Sequence, residues 1–189
     1  ESDGRLRRSA RSRERIVDAI GELIVEGNLQ PTVKQVAARA DVSLRTVFRH
    51  FDDIEGLRRG IQDRVYEKGR PILEEPIPDG PLDERIRRLV QQRARVFEET
   101  TPYARSGRTL RWRTQILSDS YAAEVKDLRE RLMTVLPEAR ALSPERQQAL
   151  ELATCFEAWD RLRAEQRLGV ERAEAVLVEL LTVLLAEDG

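Results

Sequence analysis

The chain has 189 residues, 35% of them charged and only 5% aromatic, with 33 Lys and Arg against 34 Asp and Glu and a formal net charge of −1. That length holds one compact domain with a large core or two small ones, and the composition suits helices with a solvated surface rather than a β-rich fold. A single cysteine, Cys155, excludes an intrachain disulfide and a multi-cysteine metal site, and a single histidine, His50, excludes a His-based triad or a two-His metal site within one chain.

The segment 4–15, GRLRRSARSRER, carries arginines at 5, 7, 8, 11, 13 and 15 against one acid, Glu14. It reads as a basic arm whose Arg8 and Arg11 suit phosphates, although such a segment taken alone is more often a solvated tail. It leads into a first helix with Ile16, Val17, Ala19, Ile20 and Leu23. The stretch 32–57 then has the pattern of a helix-turn-helix followed by a further helix. Val33, Val36, Ala37 and Ala40 give one short helix an apolar face. Asp41 tolerates the left-handed backbone of a tight turn, Val42 can enter the shared core, and Ser43 can cap the next helix. That helix, 44–50, is expected to bury Val47, Phe48 and Phe51. Arg45 and Arg49, four apart, share its exposed face and suit bidentate contacts to guanine in a major groove. Residues 1–60 hold 12 Lys and Arg against 10 Asp and Glu, or +2, which leaves −3 for the remainder and points the positive end at nucleic acid.

A fourth helix is expected over about 53–68, with Ile54, Leu57, Ile61 and Val65 on one face. The segment 69–81, with four prolines, reads as a connector. Next comes a helix from 82 to about 100, with Leu82, Ile86, Leu89, Val90 and Phe97, ending before Thr101-Pro102. Gly107 interrupts a short segment, and a long helix follows over 110–136, with Leu117, Tyr121, Val125, Leu128, Leu132 and Val135, ended by Pro137. Ser143-Pro144-Glu145 is a strong helix start. The helix it opens is expected to reach about 168, carrying Leu152, Phe156, Trp159 and Leu162 to a stop at Gly169. The last helix opens at Val170, and its Val176, Leu177, Leu180, Leu181, Val183, Leu184 and Leu185 cover more than one stripe. Two apolar faces imply two partners, its own core and a second subunit. Leu152, Val176, Leu180, Val183 and Leu184 are therefore the expected dimer interface. Phe97, Tyr103, Trp112, Tyr121, Phe156 and Trp159 are candidates to line a ligand pocket, each also serviceable as plain core. Arg108, Arg111 and Arg113 flank Trp112 as a basic face.

The N-terminal third resembles the TetR family of one-component regulators. The resemblance runs through Ile16 to Ile20 and Leu23, Thr32-Val33 through Ala40, Val42-Ser43, and Phe48-Arg49-His50-Phe51 with Leu57. Three positions depart from the family pattern: Asp41 for Gly, Phe48 for Tyr and Ile54 for Lys. The resemblance implies an all-α chain: an N-terminal three-helix helix-turn-helix domain with its basic arm, 1–57, and a C-terminal helical ligand-binding and dimerisation domain, 58–189. It implies sugar-phosphate contacts for Thr32, Ser43, Phe48 and His50, and base or nearby phosphate contacts for Leu44, Arg45, Thr46 and Arg49. The last two helices would pair between subunits.

The expected function is a ligand-responsive DNA-binding regulator, a repressor released from a pseudo-palindromic operator by a small, mainly apolar effector. The alternative is an architectural DNA-binding dimer with little sequence preference. Catalysis is not expected, since acid pairs such as Glu74-Glu75 and Glu98-Glu99 are far commoner as solvated charges and no Gly-rich phosphate loop is present. No cofactor and no metal is expected. With no apolar export signal and no 18-residue apolar run, a cytoplasmic protein free of membrane association is the expectation.

Overall fold

The 3.6-residue apolar repeats become helices in the computed structural model, which describes residues 2–51, 54–110 and 115–186. Trp112, Arg111 and Arg113 lie outside the described residues, as do the side chains of Arg8, Ile54 and Leu117. The helices are α1 (Ser2–Val25), α2 (Val33–Arg39), α3 (Leu44–His50), α4 (Ile54–Glu74), α5 (Leu82–Leu110), α6 (Gln115–Val135), α7 (Pro144–Ala153), α8 (Phe156–Asp160) and α9 (Val170–Leu185). A 3-10 turn follows α6 at Pro137–Ala141, and a π-helical turn follows α8 at Arg161–Glu165. No strand occurs among the described residues, so the chain is all-α. No described helix is long and apolar enough to cross a membrane.

Contacts divide the chain into two units, Glu1–Glu67 with Pro102–Ser120, and Lys68–Thr101 with Tyr121–Gly189. In the first, Ile16, Val17, Ala19, Ile20 and Ile24 of α1 form one core with Val36, Ala37, Ala40, Val47, Phe51, Leu57 and Ile61. α1 starts at Ser2, so the expected arm is helical and continuous with it: between Gly4 and Arg15 the sequence offers no proline and many good helix formers. α1 closes on Gly27 at φ 98°, with Gly27 N–H bonding Ile24 O and Asn28 N–H bonding Leu23 O. At Gly60 a Cβ would come within 3.0 Å of Val17 Cγ2, so close packing of α4 on α1 calls for glycine there. Tyr103 packs against the same core, and Ser106 Oγ donates to Leu29 O at 2.6 Å.

Three helix boundaries, two of them in the second unit, differ from expectation. α4 continues through Pro71 to Glu74 instead of stopping near 68. Its final carbonyls are held from afar: Gln92 Nε2 donates to Ile72 O at 2.8 Å and to Glu75 O at 2.9 Å, and Arg131 Nη2 donates to Glu75 O. The connector is thereby shortened to 75–81. α5 likewise runs past Pro102 and Gly107 to Leu110. Pro102 supplies no N–H to its turn, and the hydroxyls of Thr100 and Thr101 bond the carbonyls of Val96 and Phe97 at 2.7 and 2.6 Å. The helix expected over 143–168 is instead broken at Thr154-Cys155. Thr154 N–H is shared between Leu150 O and Glu151 O, while Thr154 O accepts from Arg93 Nη1 at 2.7 Å. Cys155 Sγ then accepts from Ala158 N–H to start α8. The capped start at Ser143 stands as expected, with Ser143 Oγ accepting from Arg146 N–H. The core of the second unit gathers Ile86, Leu89, Val90, Phe97, Leu132, Leu136, Leu150, Phe156, Trp159, Leu177 and Leu181, all buried.

Candidate nucleic-acid interface

The turn between α2 and α3 is built from residues whose side chains satisfy backbone groups at helix starts. Thr32 Oγ1 accepts from Gln35 N–H while Gln35 Oε1 accepts from Thr32 N–H at 2.8 Å, a capping box that opens α2. The Thr-x-x-Gln spacing carries that signal in the sequence, with Gln35 as the half that the Thr32 start alone does not reveal. α2 ends at Ala40, and Asp41 takes φ 52°, the left-handed conformation expected of it. Val42 N–H returns to Ala37 O at 3.0 Å, and Ser43 Oγ accepts from Thr46 N–H at 3.1 Å to start α3.

Of the basic segment's described side chains, Arg15 reaches the turn and Arg13 reaches the end of α3, both remaining exposed. Arg15 Nη2 donates to Ala40 O at 2.5 Å and lies 3.7 Å from Asp41 Oδ2, so it covers the end of α2 and faces the carboxylate that stands in the turn. The Arg13 guanidinium sits 5.3 Å from the centre of the Phe51 ring, a cation–π contact. Arg39 is taken by Glu22 and Glu26 at 3.2 and 2.6 Å. Nothing in the spacing of the arginines separates these tied cations from the others, because the tie depends on how α1 lies against α2 and α3.

α3 turns Val47 and Phe51 into the core, at 2% and 4% exposure. Phe48, expected beside them, is 50% exposed. The correction follows from geometry: one residue is about 100° of helix rotation, and a seven-residue helix has one face available to the core. Phe48 instead stands one turn from the exposed Leu44 and next to Arg49. Leu44, Arg45, Phe48 and Arg49 thus form one continuous outward face. Among the described residues no hydrogen bond or ion pair within the protein holds the side chain of Arg45 or Arg49. Thr46 is half-buried beside Ser43, with their hydroxyls 3.0 Å apart, and Arg11 is exposed on α1. His50 is half-buried, and its Nε2 is shut from solvent without an acceptor or donor. Burial, then the charges of Arg49 and Arg13, hold its pKa below the ordinary histidine value, so it is neutral at neutral pH.

Of the six aromatic candidates for a ligand pocket, Trp112 lies outside the described residues, and the other five are divided between the two units. Tyr103 belongs to the first unit, against the core that includes α1. Phe97 and Phe156 meet edge to face in the second unit with ring centres 5.7 Å apart, and both are fully buried. Trp159 is 1% exposed and donates to Glu98 Oε1 at 2.9 Å, and Tyr121 Oη donates to Glu157 Oε1 at 2.9 Å. The two stripes of α9 separate as their spacing requires. Ala173, Leu177, Leu181 and Leu185 face the core, while Val176, Leu180 and Val183 remain 39%, 41% and 58% exposed and Leu184 is half-buried. On the neighbouring α7, Leu152 is 69% exposed.

No protein-family model matches the sequence, and no curated protein matches it. The fold, by contrast, is shared with solved helix-turn-helix regulators of the TetR type. A transcriptional regulator from Rhodococcus sp. Rha1 superposes with a TM-score of 0.71 at 21% identity, over 92% of this chain and 95% of that one. A TetR-family transcriptional regulator from Streptomyces coelicolor gives 0.71 at 16% identity, over 93% and 82%. The multidrug binding protein EbrR, solved with imidazole, gives 0.63 at 19% identity, over 89% and 88%. The chain therefore has the TetR fold along nearly its whole length.

Proposed function

We propose that the protein is a ligand-responsive DNA-binding transcriptional regulator, a repressor released from a pseudo-palindromic operator by a small, mainly apolar effector. The observation that carries this reading is the outward face of α3, where Leu44, Arg45, Phe48 and Arg49 stand together with both guanidiniums untied, next to a rigidly capped turn. In this reading residues 1–57 bind DNA and 58–189 bind the effector and the second subunit. Arg45 and Arg49 read bases, with Leu44 and Thr46 beside them, and each bidentate contact to guanine contributes about 1–3 kcal/mol of discrimination. Thr32, Ser43, Phe48 and His50 lie against the sugar-phosphate backbone, and Arg8 and Arg11 against phosphates. Leu152, Val176, Leu180, Val183 and Leu184 form the subunit interface, which supplies the second recognition helix. Half-sites then fall roughly one helical turn, ~34–36 Å, apart or somewhat more.

The effector reading draws support from EbrR, which shares the fold and by its description binds multiple drugs. Effector and DNA oppose each other with a coupling of about 1–3 kcal/mol, reciprocal between the two sites. The deciding experiment is selection of bound duplexes from a random library at fixed, near-physiological salt, followed by sequencing. An enriched pseudo-palindrome is the expected result. Binding without enrichment that vanishes steeply with salt would overturn the reading in favour of a sequence-tolerant architectural dimer.

A further inference from the structure

Exposed apolar side chains occur in both units, and single ones such as Val25 and Val125 call for no partner. Leu44 and Phe48 differ in their placement. They stand four residues apart on α3, 38% and 50% exposed, on the outward face that also carries the exposed Arg45 and Arg49. At about 100° of rotation per residue, Leu44 and Phe48 lie within ~40° of each other, as do Arg45 and Arg49, and roughly 100° separates the middles of the two pairs. The face therefore has two parallel stripes, one apolar and one cationic.

The two stripes suit different chemistry. A guanidinium bonds the O6 and N7 acceptors of guanine, whereas the Leu44 side chain neither donates nor accepts a hydrogen bond. In a major groove the apolar group within reach is the 5-methyl of thymine; adenine, guanine and cytosine present amino, carbonyl or ring-nitrogen groups there. An aliphatic side chain laid over those groups strips them of water and returns no hydrogen bond, which costs free energy for each one left unpaired. Thymine thus gains from the contact while its competitors lose. Leu44 is the end of the apolar stripe that meets the bases, because the first residues of a recognition helix are those that reach base edges. Its position is well fixed. Ser43 Oγ accepts from Thr46 N–H at 3.1 Å around it, and the buried Val47 and Phe51 set the rotation of the helix. Phe48, one turn further on, keeps its place against the sugar-phosphate backbone.

We infer that Leu44 is a specificity-determining residue that packs against the 5-methyl group of a thymine in each half-site, next to the guanine bonded by Arg45. This inference rests on the DNA-binding reading above and deepens it, since it assigns a base that the arginines alone leave open.

The test starts from the duplex enriched by selection. Each thymine of a half-site is replaced in turn by deoxyuridine, which keeps the base pair and removes only the methyl group. Affinity is then measured at fixed salt for the wild-type chain and for Leu44→Ala. One replacement, at a thymine beside an enriched guanine, weakens the wild type about 3- to 5-fold, the burial of one methyl group. Leu44→Ala binds the unmodified operator more weakly and is indifferent to that same replacement. Because Leu44 is an exposed first residue of its helix, the variant is expected to fold, which circular dichroism checks; the wild-type scan needs no variant at all. An enriched operator whose half-sites lack thymine, or accept deoxyuridine at every thymine without loss, overturns the inference and leaves the DNA-binding reading standing. So does a folded Leu44→Ala chain as sensitive to the replacement as the wild type. Selection that enriches no operator overturns both.

Discussion

The two units terminate their helices by different means. In the first, apart from Arg15 at the end of α2, the groups that start and stop helices lie within a few residues of what they satisfy: Thr32 with Gln35, Ser43 with Thr46, Gly27 after α1, and Asp41 in the turn. In the second, the starts at Ser143 and Cys155 are capped locally, but the groups that hold helix ends arrive from distant sequence. Gln92 reaches back 20 and 17 residues to close α4, Arg93 reaches 61 residues to Thr154 and 35 to Leu128, and Arg163 reaches 65 residues to Glu98 while also bonding the nearby Leu168 O. A small unit presenting a fixed reading face is specified locally. A larger helical unit is specified by a few polar side chains that choose where its helices end.

The largest effect should therefore come from one of those long reaches. Gln92→Leu removes the donor to Ile72 O and Glu75 O and leaves Arg131 without its amide acceptor. With about 1–3 kcal/mol for each buried group left unpaired, the loss is about 2–4 kcal/mol in urea unfolding. Hydrogen exchange should show loss of protection concentrated in the last turn of α4. A cost below about 1 kcal/mol would mean that the end of α4 is fixed by packing and that the contrast between the units is false.

The local half of the contrast is tested by Ser43→Ala. Its oxygen satisfies Thr46 N–H at the start of α3, and loss of such a cap costs about 1 kcal/mol. The same unfolding experiment measures it. A cost as large as that of Gln92→Leu would show that the first unit also hangs on single contacts.

This difference explains what was legible in the sequence. The three-helix unit, the left-handed Asp41, the Ser43 cap, the Ser143-Pro144 start and the doubled apolar face of α9 all follow from spacings of four residues or fewer. The helical continuations through Pro71 and Pro102 do not, because a proline reads as a stop unless its neighbours and distant donors hold the surrounding carbonyls. The break at Thr154 was equally hidden: nothing in Leu-Ala-Thr-Cys-Phe ends a helix until Arg93 arrives from another helix. At the candidate interface, Arg45 and Arg49 were readable from their spacing. Phe48 was misplaced because aromatic character alone does not say which side of a seven-residue helix meets a core. Arg13 and Arg15 looked like their neighbours in the basic segment until α1 was set against the turn.

Because the outward face of α3 has few internal ties, substitutions there should alter binding without altering stability. Phe48→Tyr is the sharpest case. At 50% exposure its ring has room for a hydroxyl without repacking, so unfolding should change by less than about 0.5 kcal/mol. A new hydrogen bond to phosphate would tighten operator binding about 3- to 10-fold, the equivalent of one neutral hydrogen bond. Unchanged affinity would show that a hydroxyl at this position was never limiting.

The smallest effect concerns His50, where the reading helix and the core meet. Its folded pKa lies below the unfolded value, with burial the leading cause and Arg49 and Arg13 adding repulsion. As pH falls through the ordinary histidine value near 6.5, the unfolded chain takes up the proton before the folded one does. Stability therefore declines across that window and levels off below the lower, folded pKa. His50→Asn removes this ionisable group, so the variant's stability curve should be flatter than that of the wild type between neutral pH and mildly acidic pH. If the two curves run parallel, protonation of His50 is not what the Arg13 and Arg49 charges oppose, and the helix end is held by the buried Val47 and Phe51 alone.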